Sequence, residues 1–530
     1  MKFKKFNFKN MKHADCNFDL NKSKEEMSYN SFFLKENDKY KYLPLLNLIR
    51  TKQFNKARTE LNRLLKSTPD KPNLYNLLAL LESLEGNNDA AKQNYQKALG
   101  LDKKNISAYL GLAKLLIAEQ ELNSAKINIQ KVLKINQNNI SAHMALAAIA
   151  NLKKNYKEAE EHLLRSYKKA SKNYLTEIYI ASELAKWYEK HNKPTKLISL
   201  AQELEKKYPE KIDVLAFKAA AEITTDHINL AEATLKRIVS LDKSDTKHRL
   251  MLANILSKQA NRSEETLKLL DQVQAIRPND ARPLIVKASF FLSQKKHTET
   301  LNIINSAKKL FPSESLIHQL EGDLFLEQKN IDKALNSYQE AFRLKKSYRV
   351  LSLLADLLVS QKKENEAISL LQDQLQINSA NIEVNLKLAS IYQKIEKQNK
   401  AIIHYQKILD ASPNNILALN NLALLLIDSN KNDSLMLAKK AFDLAPDKAV
   451  IIDTYGYILT KLGHYKDGLK ILEKSALLAP HIFDIQYHYA DVLHLTGNKS
   501  KAIAILEKIS GSNKNFLEKR ASIELLNKLR

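Results

Sequence analysis

Three histidines near the C-terminal end, His481, His488 and His494, come nearest to a reactive constellation. Separations of seven and six residues place them on neighbouring turns of one helical face. With Asp491 they would make a metal-ligand set. The simpler reading is helix-pair histidines in surface and core, so no metal site is assigned. Acid pairs at Glu160-Glu161 and Glu264-Glu265 fall where helices begin, and there they complement the helix dipole without any catalytic role. Trp187, the only tryptophan, stands beside Tyr188 on an apolar helix and reads as core. Cys16 is the single cysteine, which excludes an internal disulfide and a cysteine-based zinc cage. No GxxxxGK[ST] loop, GxGxxG turn, GxSxG elbow or HExxH helix occurs, and only 9 glycines are present. The chain is therefore read as having no catalytic, cofactor-binding or metal-binding residues, and as not an enzyme. What remains is a polar and aromatic patch in the C-terminal third: Asn420, Asn421, Asp453, Tyr487 and His488.

The elements that carry this patch are read from a repeat. A small residue returns about every 34 positions: Ala79, Ala113, Ala147, Ala185, Ala219, Ala253, Ala288, Gly322, Ala355, Ala389, Ala423, Gly456, Ala490. A second ladder runs mostly 12 residues behind it, through Ala57, Ala91, Ala125 and Ala159 to Ala502. Residues 72–105 show one unit. Tyr75, Leu78, Ala79 and Glu82 follow helical spacing, Gly86-Asn87-Asn88-Asp89 breaks it, and Ala91, Tyr95, Ala98 and Leu99 resume it. Each unit is thus a pair of antiparallel helices with a short turn. Ala79 and Ala91 lie where the helices approach most closely, and Tyr95 and Leu78 fill the flanking holes.

Units begin near residues 38, 72, 106, 140, 178, 212, 246, 281, 315, 348, 382, 415, 449 and 483. A four-residue insertion at Tyr167–Ile178 and one-residue slips near Asn261, Lys346 and Asn432 interrupt the spacing, and these are expected in turns. Pro69, Pro209, Pro278, Pro312, Pro413, Pro446 and Pro480 stand at unit ends, where the ring stops the second helix. The domain reading is a basic tail over 1–36, a repeat array over 37–514 and a capping helix over 515–530. The cap presents Leu517, Ala521, Ile523, Leu526 and Leu529 as its apolar face.

Composition agrees with a long helical core. The chain is 44% hydrophobic and only 7% aromatic, with 9 glycines and 11 prolines. The formal charge of +25 comes from lysines scattered over nearly every helix. There is no arginine block and little aromatic interleaving, so direct nucleic-acid binding is not expected. No run of about 18 apolar residues occurs. The start, MKFKKFNFKNMKHADCNFDL, lacks the apolar core of a signal peptide, and Cys16 lacks the small apolar residues of a lipobox. Residues 1–36 read as a disordered tail. A weak membrane-surface contact through Phe3, Phe6 and Phe8 among the lysines is the alternative.

The pattern resembles the tetratricopeptide repeat over about residues 38–510. Residues 315–348 carry Gly322, Phe325, Ala334, Tyr338 and Ala341 at the family's offsets; residues 449–482 carry Tyr455-Gly456, Leu459, Gly463, Tyr465 and Pro480. The family's usual aromatic at the fourth residue survives only as Tyr75 and Tyr109, so packing there is remade with Leu, Ile, Ala and His. The resemblance implies an all-α, right-handed superhelical solenoid of about fourteen helix pairs. It also implies a concave face lined by first helices, on which such proteins clamp partner segments. No asparagine ladder or carboxylate clamp recurs along that face here. Residues 419–426, 438–446, 453–457 and 487–490 further resemble the repeat protein of bacterial PEP-CTERM sorting and exopolysaccharide systems, a family that is exported and lipid-anchored.

No stretch outside the repeats is longer than about 40 residues, too short for a catalytic domain. The expectation is a protein–protein interaction scaffold whose partner groove holds Asn420, Asn421, Asp453, Tyr487 and His488. An envelope or exopolysaccharide assembly factor is the first alternative, and a binder of acidic polymer through the basic surface the second. Without a visible export signal the compartment reads as cytoplasmic, with periplasm or outer membrane as the alternative if the true start lies upstream.

Overall fold

The computed structural model describes residues 42–171, 173–259 and 261–530. The expected tail over 1–36, with Cys16 and its membrane contact, lies outside the described residues. Those described are all-α: fourteen helix pairs and a closing helix. None of their helices is long and apolar enough to cross a membrane. The chain divides at Pro283 into two compact units. The first holds seven pairs, from Leu43–Arg50 with Phe54–Ser67 to Thr246–Leu256 with Ser263–Ile276. The second holds seven more, from Arg282–Ser293 with His297–Leu310 to Phe483–Leu495 with Lys499–Ser510, and ends on Lys519–Leu529.

Local rules set each pair. Asn105, Asn139, Asn381 and Asn415 cap first helices by accepting the backbone N–H three residues on, and Asp245 does the same. Within pairs, twelve turns place a residue at positive φ two positions before the second helix, yet only Gly86, Gly463 and Gly497 are glycine there. The other nine, such as Lys52, Lys154 and Lys329, hold left-handed backbone at about 1 kcal/mol each. They are held because the turn's hydrogen bonds close around them. Glu121 N–H reaches Leu116 O at 2.8 Å, and Asn330 N–H reaches Phe325 O at 2.8 Å.

The fourth residue of the first helix performs a recurring task. Tyr109 donates to Lys103 O (3.2 Å), His143 to Gln137 O (3.1 Å), Arg249 to Lys243 O (2.7 Å), His318 to Pro312 O (3.1 Å) and Asn385 to Ser379 O (3.0 Å). Each acceptor lies six residues back, in the turn that joins two units. The lost aromatic is thus replaced by a donor of suitable reach, and arginine and asparagine join histidine in that role.

Two expectations change. The four-residue insertion does not sit in a turn; it lengthens the first helix of the fifth pair to Tyr174–Lys190, 17 residues against the usual 13. Four residues make about one helical turn, so the buried face returns to register. The closing helix starts at Lys519, not near 515, and buries Ser522, Leu526 and Leu529. Leu517 precedes it and is exposed, while Phe516 packs edge-on against Phe483 at 5.6 Å.

The small-residue ladders are the lines of closest approach. Ala79, Ala91 and Ala98 are fully buried. In the pair Ala449–Lys461 and Tyr465–Leu478, a Cβ on Gly456 would lie 2.7 Å from Leu472 Cγ. A Cβ on Gly468 would crowd Thr460 Oγ1 and the Gly456 carbonyl, and that hydroxyl is itself held by Gly456 O at 2.9 Å. Leu472 can shift, whereas the backbone facing Gly468 cannot. Gly468→Ala should therefore cost more than Gly456→Ala, within about 1–3 kcal/mol. Amide exchange in helices 449–461 and 465–478 measures the difference, and equal protection in the two variants would contradict it.

Candidate functional site

The final three pairs of the second unit carry the candidate residues Asn420, Asn421, Asp453, Tyr487 and His488. Their first helices, Ile416–Leu426, Ala449–Lys461 and Phe483–Leu495, pack side by side, and the last also meets Lys519–Leu529. Second helices of successive pairs do not approach one another to this extent, so the first helices form the inner side of the local stack. Helical spacing sets one stripe of residues per helix: Leu417, Asn420 and Leu424; Val450, Asp453 and Tyr457; Asp484, Tyr487 and Asp491. Leu417 and Val450 are more than half exposed on these stripes, at 58% and 54%, beside polar residues that are nearly closed off.

Asp453 and His488 meet across two pairs. His488 Nδ1 donates to Asp453 Oδ2 at 2.9 Å, and the His488 ring lies 4.6 Å from that of Tyr457. Tyr487 is half-buried beside them. Asn420 donates to Asn421 Oδ1 at 3.3 Å, and Asn421 donates to the Tyr405 hydroxyl at 3.0 Å. That hydroxyl donates in turn to Gln393 Oε1 at 2.6 Å. Two acceptors are left over. Asn420 Oδ1 and Asp453 Oδ1 are buried with no hydrogen-bond donor among the described residues. Such a desolvated acceptor costs about 1–3 kcal/mol until a donor arrives.

A tetratricopeptide-repeat family profile matches residues 237–509, and a second profile of the same description matches residues 84–149. The chain belongs to the tetratricopeptide-repeat family. No curated protein matches the sequence significantly. Among solved structures it is similar to the anaphase-promoting-complex hetero-tetramer Cut9–Hcn1, at 15% identity and a TM-score of 0.36, over 95% of this chain and 99% of that one. It is also similar to YrrB, described as a tetratricopeptide-repeat protein with an unusual peptide-binding site, at 18% identity and a TM-score of 0.27, over 34% of this chain and 95% of that one.

Of the five residues proposed from sequence, the tetratricopeptide array joins Asp453 to His488 and Asn420 to Asn421, and sets Tyr487 beside the first pair. Asn420 and Asp453 are not open surface; both are nine-tenths buried. Asn421 turns away toward the preceding pair. Sequence reasoning missed Tyr405. Its signal is positional, since Tyr95, Tyr338 and Tyr405 all stand eighth in their second helices. There the ring fills the hole between helices while the hydroxyl reaches the neighbouring first helix, as Tyr338 does to Asp323 Oδ1 at 2.5 Å.

The histidine set does not converge. His481 lies exposed in a turn and His488 is engaged by Asp453. Among the described residues no three of His, Cys, Asp and Glu are placed to hold a metal. Glu160 is not a free dipole acid. It is buried and paired with Lys193 at 2.6 Å and with Lys196, both on the next pair. Glu264 and Glu265 do sit in the first turn of their helix. Trp187 is buried, with His191 4.3 Å away and Lys193 over its ring.

Two histidines near the site titrate in opposite senses. Burial opposes charge on His488, but the hydrogen bond and charge of Asp453, helped by Glu518 and Asp484, overcome it and raise the pKa above 6.5. Its stabilisation is present below 6.5 and is lost as pH rises through the raised value. His404 is buried against Tyr392 and bonds Asn385 Oδ1 at 2.8 Å. Burial, with Lys407 adding, pushes it down to about 4. The unfolded chain then takes up a proton between about 6.5 and 4 that the folded chain refuses, so this contribution is present above 6.5 and lost as pH falls. The shift corresponds to roughly 3 kcal/mol. Denaturation midpoints should fall between pH 7.5 and 4.5, and fall less in His404→Gln. An equal fall in the two proteins would show that His404 does not carry the effect.

Proposed function

We propose that this tetratricopeptide-repeat chain is an interaction scaffold without chemistry of its own. It receives a segment of another protein on the first-helix face of its last three pairs. One observation carries the reading: on that face, exposed Leu417, Leu424 and Val450 share stripes with the undonated acceptors of Asn420 and Asp453. Apolar side chains left in water and polar atoms left without water are two deficits that a bound segment repairs together. The family membership supports a role in protein binding.

The test is cross-linked capture of the tagged protein from cells at low and high salt, with partner identification. Partners held on this face should survive high salt, because apolar anchors carry them. They should be lost from the double variant Leu417→Ser/Val450→Ser, whose exposed substitutions leave the core intact. Material that is released wholly by salt, and is captured equally by the variant, would place binding on the +25 surface and overturn the proposal.

A further inference from the structure

The groove face is acidic on a chain that is strongly basic overall. Asp484, Asp491 and Glu518 surround Tyr487 and His488, with Glu518 supplied by the segment leading into the closing helix. Glu518 is fixed there because its backbone N–H donates to Asp484 Oδ1 at 3.0 Å. Several cations near this face are engaged, among them Lys514, which lies over the Phe483 ring at 5.3 Å. Lys461 lies over the Tyr457 ring at 5.3 Å, Arg520 pairs with Glu524 at 2.8 Å, and His488 is held by Asp453. Independently of these acids, Asn420 Oδ1 and Asp453 Oδ1 lack donors, on side chains at 5% and 7% exposure. Both oxygens are closed off, so a partner's N–H or O–H reaches them only where these side chains shift to admit it.

We infer that the groove takes a cationic segment of a partner protein. An arginine or lysine side chain of that segment donates toward Asp453 and Asn420 among the carboxylates of Asp484, Asp491 and Glu518, and apolar neighbours cover Leu417 and Val450. This rests on the groove reading above and gives its ligand a chemistry. Arginine suits the place best. Its planar fork offers several N–H donors at once and stays charged among carboxylates. The whole-molecule charge of +25 repels such a segment at long range, so local carboxylates within a screening length must do the selecting.

The experiment uses the full chain and a fluorescein-labelled octapeptide of alternating Arg and Leu, read by anisotropy in about 0.15 M salt. A second peptide replaces each Arg with Glu. The Arg peptide should bind saturably and the Glu peptide at least tenfold more weakly. Asp491→Asn/Glu518→Gln should weaken the Arg peptide at least tenfold. Glu364→Gln/Glu366→Gln, the same charge change on a second helix outside the groove, should leave it within twofold. Asp453→Asn tests the buried acceptor, with helix content by circular dichroism to show that the variant folds. Three results would overturn the proposal: no binding of the Arg peptide, equal binding of the Glu peptide, or equal losses in the groove and control variants. Captured partners that depend on Leu417 and Val450, without binding of the Arg peptide, would also overturn it while leaving the scaffold reading intact.

Discussion

Close approach of paired helices is the constraint on which everything else rests. Alanine or glycine on the two facing lines lets backbones come near enough that little beyond a methyl fits between them. Gly468 shows the limit, because even a methyl there would press on the Gly456 carbonyl. A pair so built has an apolar face that it cannot bury alone. Stacking pair on pair supplies the missing cover, which is why stability in such arrays is a sum of near-neighbour terms. Tyr338 and Tyr405, almost fully buried, plug the space between the helices of their own pairs, and Tyr405 also meets Asn421 of the next.

The same constraint shapes the candidate groove. First helices that pack side by side shut out water along their inner stripes. Polar side chains placed there must find partners across pairs, and most do. Asp453 finds His488, and Asn421 finds Tyr405. Each such contact links residues 35 and 16 positions apart, so it exists only once the stack has formed. The acceptors left over are a consequence of tight packing and of having one more lone pair than the protein has donors. In a solvated loop the same Asn and Asp would be satisfied by water and would signal nothing.

Charges are paired locally along the array. Lysines on nearly every helix give the chain its excess, while Asp484, Asp491 and Glu518 gather near Tyr487 and His488. Ion pairs such as buried Glu160 with the part-exposed Lys193 and Lys196 join one pair to the next. In five units the position-four donor stitches the unit to the turn before it. Neither arrangement is a pattern of identical residues; each is a pattern of reach and hydrogen-bonding capacity. Histidine, arginine, asparagine and tyrosine are interchangeable in that role because the target is a single carbonyl at fixed distance.

The amino-acid sequence alone determined the period, the number of pairs, the small-residue contact lines and the unit-ending prolines. These depend on neighbours within one or two turns of chain, and their physics is local. It also pointed to Asn420, Asn421, Asp453, Tyr487 and His488, since polar residues at first-helix positions stand out against an apolar background. Tertiary structure alone decided the rest. The added four residues became a helical turn because only register with the neighbouring pair could choose between turn and helix. Glu160 became a buried bridge and Leu517 an exposed residue for the same reason. Which oxygen of Asp453 is bonded and which is bare depends on where the next pair sets its histidine. That is a matter of stacking and exclusion of water, which no local pattern encodes.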